Sequence, residues 1–154
     1  MTASSPTGQP FSIRPLTPGD YEAWLPLWQG YLTFYKATLD PAVTDVTWER
    51  FHDDDEPMFV LGAFDGDQLL GIVHCVSHRA TWTEGWYVYL EDLFTVPQAR
   101  GQGIGKALIQ AVYDKADEIS ASRVYWHTHE TNAAGRALYD KVGHNAGFIQ
   151  YRRP

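Results

Sequence analysis

Two carboxylates stand next to each other near the middle of the chain, shortly before a glycine-rich loop. Glu91 and Asp92 lie within residues 89–96, a stretch rich in β-branched and aromatic residues that stops at Pro97, where strand pairing must end. A carboxylate on such a strand is a candidate general base. Successive strand residues point to opposite faces, so both carboxylates serve one site only if the strand is bulged.

The loop after this strand has the composition of a phosphate-binding turn. Its glycines Gly101, Gly103 and Gly105 alternate along the chain, and apolar residues recur at helical spacing over residues 104–119. The unpaired N–H groups and the positive dipole end of a first helical turn attract anions. We therefore expect residues 100–106 to form a pyrophosphate cradle at the start of a helix of about four turns.

Two common phosphate-loop motifs do not fit this spacing. A P-loop requires Gly-x-x-x-x-Gly-Lys-Ser/Thr, whereas Arg100 occupies the first glycine position and Ala107 follows Lys106. A dinucleotide-binding fingerprint requires Gly-x-Gly-x-x-Gly, and Lys106 stands at the third glycine position. The loop therefore belongs to another class.

The sequence Arg-Gly-Gln-Gly-Ile-Gly at residues 100–105 resembles the acetyl-CoA loop, Arg/Gln-x-x-Gly-x-Gly/Ala, of the GNAT superfamily of N-acetyltransferases. Residues 123–128 are similar to the next core strand of that family. Residues 132–143 are similar to its following helix, with an Asn near the start and a Tyr in the last turns. Two motifs in the correct order are more specific than one. The sequence Tyr-Leu-Glu-Asp-Leu-Phe before the loop is similar to the diamine and the histone/polyamine acetyltransferases.

The elements that would position these residues follow from the periodicity of the chain. Strands are predicted over residues 11–14, 58–64, 69–78, 86–95, 123–128 and 148–152. A first helix begins after Thr17 and continues through an aromatic stripe over residues 21–35, where Pro26 should kink or divide it. Residues 47–51 add one short turn. The order and the resemblance imply an α/β fold with a mixed, mostly antiparallel central sheet, flanked by helices and splayed at the central strand.

The resemblance also implies roles for individual residues. Glu91 would take a proton from the acceptor ammonium through water, with Asp92 and His127 as alternatives, and Tyr139 would protonate the departing thiolate. The residues expected to hold acetyl-CoA are Leu93, Phe94, Thr95, Arg100, Gly101, Gln102, Gly103, Ile104, Gly105, Lys106, Asn132, Arg136 and Tyr139. The residues expected to line the acceptor site are Tyr31, Tyr35, Glu91, Asp92 and His127. The alternative interpretation of the aromatic stripe that contains Tyr31 and Tyr35 is core packing.

One residue of the last predicted helix departs from the family pattern. Gly135 lies in the helix interior, where glycine costs about 1 kcal/mol relative to alanine. It either permits close approach of the cofactor or is merely tolerated.

No metal site is predicted. Cys75, the sole cysteine, lies in a buried-looking strand and is expected to be a core residue. His127 and His129 lie two residues apart, on one face of a predicted strand, which is also metal-ligand spacing, but Glu130 is the only further ligand nearby in the sequence.

The composition limits the classes of partner. A chain of 154 residues with 44% hydrophobic content is expected to form one domain over residues 11–154, after a loose tail over residues 1–10 without signal or transit features. The net charge of −7 disfavours nucleic acids and anionic membranes and favours cationic partners. A cytoplasmic location is expected, and the resemblance admits a homodimer.

The predicted activity is acetyl-CoA-dependent N-acetyl transfer by direct attack of a neutral primary amine, without a covalent enzyme intermediate. The acceptor is a polyamine, a related small amine or a basic protein amine. An amino acid or an aminoglycoside is an alternative acceptor. A CoA-binding module without turnover is a further alternative, although it would not need Glu91, Asn132 and Tyr139 together.

Overall fold

A computed structural model describes residues 11–154 of the chain, so the tail expected over residues 1–10 lies outside the described part. The strands are β1 Ser12–Pro15, β2 Met58–Asp65, β3 Gln68–His78, β4 Trp86–Thr95 and β5 Ala121–Tyr125. The helices are α1 Tyr21–Phe34, α2 Pro41–Phe51, α3 Ile104–Glu118 and α4 Ala133–Val142, with short 3-10 turns at Pro18–Asp20 and Pro97–Ala99. The strands form one sheet in the order β1-β2-β3-β4-β5.

The sheet opens between its last two strands. Strands β1 to β4 are antiparallel neighbours, whereas β5 runs parallel to β4. The β4–β5 pairing begins at Trp86 opposite Ala121 and ends at Tyr89 opposite Tyr125, although β4 continues to Thr95. The carboxyl half of β4 therefore borders a cleft. The predicted mixed, mostly antiparallel and splayed sheet is confirmed.

Strand β4 contains the bulge that its paired carboxylates require. His74 of β3 lies opposite Asp92, whereas the next residue, Cys75, lies opposite Leu90. Glu91 is therefore the extra residue, and the bulge lies beside the point where β4 and β5 separate.

Two apolar layers cover the two faces of the sheet. Helix α3 covers one face, and the core there includes Val73, Cys75, Val88, Leu90, Leu108, Ile109 and Val112. Helices α1 and α2 cover the other face with an aromatic layer that includes Trp24, Trp28, Trp48, Phe51 and Phe94. Cys75 is fully buried, as predicted, and burial raises the pKa of its thiol. This thiol is therefore a core group.

Two helices are more continuous or longer than predicted. Helix α1 is not divided at Pro26, because that residue lies on the exposed side while Trp24 and Trp28 anchor the helix to the sheet. Helix α2 is eleven residues long rather than a short turn over residues 47–51. The side chain of Asp40 caps it by accepting a hydrogen bond from the Ala42 N–H at 2.9 Å, and Pro41 takes the first helical position.

Two strand predictions were also wrong. Strand β5 ends at Tyr125, so His127 and His129 follow the strand instead of sharing a face of it. Residues 148–152 are extended but pair with no strand in the described part of the chain. Across residues 11–154, no helix is long and apolar enough to cross a membrane, and no cluster of three or more acidic, His or Cys side chains could hold a metal ion.

Candidate active site

The bulge in β4 presents Glu91 and Asp92 at the edge of the cleft. Part of the Glu91 side chain is exposed, yet surrounding groups desolvate its carboxyl and raise the pKa of Glu91 above its ordinary 4.5. The negative charge of Asp92 adds to this increase. A carboxylate with a raised pKa is a stronger base, so Glu91 is suited to accept a proton.

Asp92 is held from behind by a buried histidine. His74 Nδ1 lies 3.0 Å from Asp92 Oδ2, and the Trp24 indole Nε1–H donates to His74 Nε2 at 3.0 Å. An indole N–H is only a donor, so His74 Nε2 must be the acceptor and His74 Nδ1–H donates to Asp92. Trp24 therefore fixes the tautomer of His74, and His74 orients the Asp92 carboxylate.

Tyr31 of α1 and Tyr35, the residue that ends this helix, form a tyrosine row that begins beside this carboxylate. Burial, and then the adjacent Asp92 charge, raise the pKa of Tyr31 far above its ordinary value, so its hydroxyl stays protonated. The rings of Tyr31 and Tyr35 lie 4.7 Å apart. Tyr31 is therefore a neighbour of Asp92, whereas Tyr35 lies one ring further away, beside Tyr31. Tyr31 also packs against the aromatic layer beside Phe94.

His127 reaches the carboxylates only through a tyrosine. Its Nδ1 lies 3.2 Å from the hydroxyl of Tyr89, whose ring stacks on Tyr125 with 5.1 Å between centroids. Burial, and then the charges of Glu91 and Asp92, raise the pKa of Tyr89. Tyr89 thus lies between His127 and the two carboxylates.

Tyr139 of α4 lies beside Tyr35, at the end of the tyrosine row away from Asp92. Its ring packs against Trp126 at 5.6 Å between centroids. Burial, and then the nearby Tyr35, raise the pKa of Tyr139, so the phenol is protonated at neutral pH and can donate a proton. Tyr35 is therefore a neighbour of both Tyr31 and Tyr139.

The glycine-rich loop forms an open helix entrance. Gly101 and Gly103 adopt left-handed backbone angles, with φ of 82° and 84°, which favour glycine. Gly103 is the N-cap residue of α3, and no side chain within residues 11–154 caps that end. The first N–H groups of α3 are therefore available to bind a pyrophosphate.

Arg100 is fixed at the rim of this cradle. Its Nε donates to the Thr95 carbonyl at 3.1 Å, and its guanidinium lies 5.6 Å from the centroid of the Phe94 ring. The side chains of Phe94 and Ile104 are buried in the two cores, so only their backbone groups are available to a cofactor. Leu93 lies on the α3 face, where it and Leu138 approach Gly105.

Asn132 caps α4, and this cap explains the glycine inside the helix. Asn132 Oδ1 accepts from the Gly135 N–H at 3.1 Å, and Asn132 Nδ2 donates to Thr128 Oγ1 at 3.0 Å. A Cβ at position 135 would overlap the Asn132 amide group. Gly135 is therefore explained by the cap. Arg136 Nη1 donates to the Glu130 carbonyl at 2.9 Å, which holds its side chain beside the start of α4.

The predicted site residues did not include Trp24, His74 and Tyr89, although Trp24 lies in the aromatic stripe over residues 21–35. His74 was detectable, because a histidine inside the apolar run of β3 is a buried polar group that needs partners. Its partner Trp24 is 50 residues away, so the contact depends on the tertiary fold.

Known proteins resemble this chain along most of its length. The profile of the Acetyltransferase (GNAT) family matches residues 21–144. The D-amino-acid N-acetyltransferase HPA3 of Saccharomyces cerevisiae is 34% identical over 143 residues, which are 92% of this chain and 89% of that protein. The thialysine N-epsilon-acetyltransferase of Caenorhabditis elegans is 29% identical over 86% of this chain and 81% of its own.

Solved structures agree with these sequence matches. The crystal structure of ribosomal-protein-alanine N-acetyltransferase from Brucella melitensis superposes with a TM-score of 0.79 at 26% identity, covering 94% of this chain and 99% of that one. Acetyl-CoA is the acetyl donor of GNAT enzymes, and the open α3 entrance suits its pyrophosphate. The chain therefore belongs to the GNAT family of acetyltransferases and is an N-acetyltransferase that uses acetyl-CoA.

Proposed function

We propose that the protein acetylates a small cationic primary amine whose ammonium group binds against Asp92 and Glu91. One observation carries this proposal. Within residues 11–154, no Lys or Arg side chain lies within ion-pair distance of either carboxylate, and the nearest ionisable partner is the His74 ring behind Asp92. Two adjacent carboxylates without a basic counter-ion at an open cleft suit a substrate cation.

The two carboxylates have separate roles in this proposal. Asp92, oriented by His74 and bordered by Tyr31, holds the ammonium group. Glu91, whose pKa is raised, takes the proton directly or through water, because only the neutral amine is a nucleophile. The bulge supports these separate roles, because it places the side chains of Glu91 and Asp92 at the same edge of the cleft.

Tyr139 is the proposed proton donor. Bound acetyl-CoA supplies an activated acyl group with a thiolate leaving group. The protonated Tyr139 hydroxyl would give its proton to the leaving sulfur, which prevents the reverse reaction. The residues that would hold the cofactor are Leu93, Phe94, Thr95, Arg100, Gly101, Gln102, Gly103, Ile104, Gly105, Lys106, Asn132 and Arg136, with Phe94 and Ile104 acting through their backbone.

Two acceptor classes are favoured by different observations. The carboxylate pair favours a diamine or polyamine, in which a second cation adds to the attraction. The name of the yeast relative favours a D-amino acid, and the nematode relative is named for thialysine. All of these acceptors present a primary amine to the same carboxylates.

Release of free thiol from acetyl-CoA with a panel of amines tests the proposal. The panel contains spermidine, spermine, D- and L-lysine, D-amino acids with uncharged side groups, a histone-tail peptide and an aminoglycoside. We expect the highest kcat/KM for an acceptor that carries a second cation. Faster turnover of the D-amino acids with uncharged side groups would replace this acceptor class with the D-amino-acid class.

A control variant separates the loss of a carboxylate in the cleft from the loss of negative charge on the surface. Glu49→Gln removes an exposed carboxylate on α2 and should leave every rate in the panel unchanged. Asp92→Asn removes the proposed ammonium site and should lower the rates for cationic acceptors most. An equal loss in both variants would show that general surface charge, and not the cleft, attracts the amine.

A further inference from the structure

The sheet face that carries Asp92 continues toward the start of β4. The partner of Asp92, His74, packs against the tryptophans of α1, so Asp92 lies on the α1 side of the sheet. Val88 is buried on the α3 side. Because strand residues alternate between the two faces, its neighbours Tyr87 and Tyr89 point to the α1 side, as Asp92 does.

Tyr125 of β5 forms a tyrosine floor together with Tyr87 and Tyr89. Its ring stacks on Tyr89 at 5.1 Å between centroids and lies 6.4 Å from the ring of Tyr87. The Tyr89 hydroxyl lies 3.2 Å from His127 Nδ1, and the Tyr125 hydroxyl lies 2.7 Å from His78 Nε2. All three tyrosines are half-buried. The tyrosine floor is therefore held in place by hydrogen bonds and is open to a ligand.

Two arginines border the tyrosine floor. Arg123 of β5 stands opposite Tyr87, and its guanidinium carbon lies 4.5 Å from the centre of the Tyr87 ring. Burial, and then the charges of the two carboxylates, raise the pKa of Tyr89, and the charge of Arg152 opposes this increase. Arg152 is therefore close enough to Tyr89 to act on a ligand that lies there.

Neither guanidinium is neutralised within residues 11–154. No carboxylate in this range lies within ion-pair distance of Arg123 or Arg152. Arg152 Nη2 donates to the side chain of Gln150 at 2.8 Å, and Arg123 is exposed. A guanidinium stays charged at any physiological pH, and its fork of N–H donors matches the geometry of a carboxylate. Both arginines are therefore available to bind an anionic group of the acceptor.

The spacing along β4 sets the length of such an acceptor. Two residues of a strand span about 6.6–6.8 Å, so Tyr89 lies about 7 Å and Tyr87 about 13 Å before Glu91. An extended chain advances about 1.2 Å per bond, because the three backbone bonds of a residue span at most about 3.3–3.6 Å. The amine and carboxylate of an α-amino acid, separated by about two bonds, are too close together to reach from Glu91 to Tyr89. A separation of about six bonds covers this distance.

We propose that the acceptor is an amino acid that reacts at a terminal amine about six bonds from its carboxylate, and that Arg123 and Arg152 bind this carboxylate. The inference rests on the proposed function, because the reacting amine must occupy the site at Asp92 and Glu91. The chain between the amine and the carboxylate then lies on the tyrosine floor. Lysine that reacts at its ε-nitrogen has this arrangement, and its α-ammonium supplies a second cation.

Lysine and cadaverine form a matched pair of acceptors for the first test. They share the primary amine and the carbon chain, and only lysine carries the carboxylate. We expect thiol release from acetyl-CoA with a kcat/KM about tenfold higher for lysine than for cadaverine. Tandem mass spectrometry of the lysine product should locate the acetyl group on the ε-nitrogen. Equal efficiency for the two amines, or acetylation of the α-nitrogen, would overturn the proposed carboxylate site.

Arginine variants test whether the two named side chains cause the preference. Arg123→Gln and Arg152→Gln should each lower kcat/KM for lysine about tenfold more than kcat/KM for cadaverine. Arg123 is exposed, so its variant should fold, and the rate with cadaverine checks this directly. Arg153→Gln removes the same charge from the residue next to Arg152 and should leave both values unchanged. Equal losses for lysine and cadaverine in Arg123→Gln and Arg152→Gln would overturn the proposal.

Asp92→Asn separates failure of this inference from failure of the proposed function. It removes the ammonium site that the two amines share, so both should lose efficiency to a similar extent. If Asp92→Asn lowers both rates while the arginine variants change neither, the carboxylate site alone is overturned. If Asp92→Asn changes neither rate, or if neither amine releases thiol, the proposed function is overturned and the carboxylate site with it.

Discussion

His74 Nδ1 and Asp92 Oδ2 lie 3.0 Å apart across the bulged pair of β3 and β4. The opposite ring nitrogen of His74 accepts the indole N–H of Trp24, so two residues from two other elements set the direction of one carboxylate. Because β4 separates from β5 beyond Tyr89, that carboxylate lies beside the cleft. The orientation of Asp92 is therefore built into the core.

The hydrogen-bonded series Trp24–His74–Asp92 should be energetically coupled. His74→Leu leaves the Trp24 N–H and the Asp92 carboxylate without their partner, which should lower the free energy of unfolding by about 2–4 kcal/mol. Trp24→Phe removes only one of these bonds. Urea denaturation of the two single variants and of the double variant gives a double-mutant cycle. We expect the double variant to lose less unfolding free energy than the sum of the losses in the two single variants. Strictly additive losses would contradict the coupling.

Glu91 should determine part of the dependence of rate on pH. The base form of Glu91 is deprotonated, so kcat should rise as pH increases through a pKa that lies above the ordinary 4.5. Glu91→Gln should flatten this rise and lower kcat by about 100-fold, at the lower end of the effect of general bases. The measurement is kcat against pH at saturating amine. If Glu91→Gln has an unchanged dependence of kcat on pH, the general base is His127 or bulk water instead.

Tyr139→Phe should separate chemistry from binding. The substitution removes the proposed proton donor and little volume, so we expect kcat to fall by about 100-fold. The Kd of acetyl-CoA, measured by calorimetry, should change by no more than about twofold, because a single neutral hydrogen bond contributes little. Tyr21→Phe removes an exposed hydroxyl on α1 and serves as the control. Parallel losses in kcat and affinity would mean that Tyr139 only binds the cofactor.

Gly135→Ala should not stabilise α4, although alanine is the better helix former by about 1 kcal/mol. The added Cβ would displace Asn132, and loss of that cap costs about 0.5–2 kcal/mol. We expect a net loss of stability in thermal denaturation. The same substitution made in an Asn132→Ala background should instead be stabilising. A gain in both backgrounds would rule out the steric link between Gly135 and the cap.

The local parts of the fold and site were predictable from the sequence. Alternating glycines at residues 101–105 specify an uncapped helix entrance, because left-handed turns and close anion approach both need glycine. The adjacent pair Glu91 and Asp92 could serve one site only if the strand were bulged, and the structure contains that bulge. The start of α2 also had a local signal, Asp40 before Pro41, which is a typical N-cap followed by a first-turn proline.

The remaining features depend on contacts between distant residues. Pro26 remains inside α1 because tryptophans on the opposite side bind that helix to the sheet, an effect that propensity does not include. The role of His74 depends on Trp24, which lies 50 residues away. Residues 148–152 have the composition of a strand, but a strand also needs an edge to pair with, and sequence periodicity does not specify which edge.

The most direct test of the proposed acceptor site is the kcat/KM of Asp92→Asn for its best amine, compared with the unsubstituted protein at saturating acetyl-CoA. A hydrogen bond to a charged group contributes about 1.5–3 kcal/mol, so we predict a loss of about 10- to 100-fold, mostly through a higher KM for the amine. The KM of acetyl-CoA should remain unchanged. An Asp92→Asn enzyme with unaltered efficiency toward cationic amines would contradict recognition of the acceptor ammonium by this carboxylate.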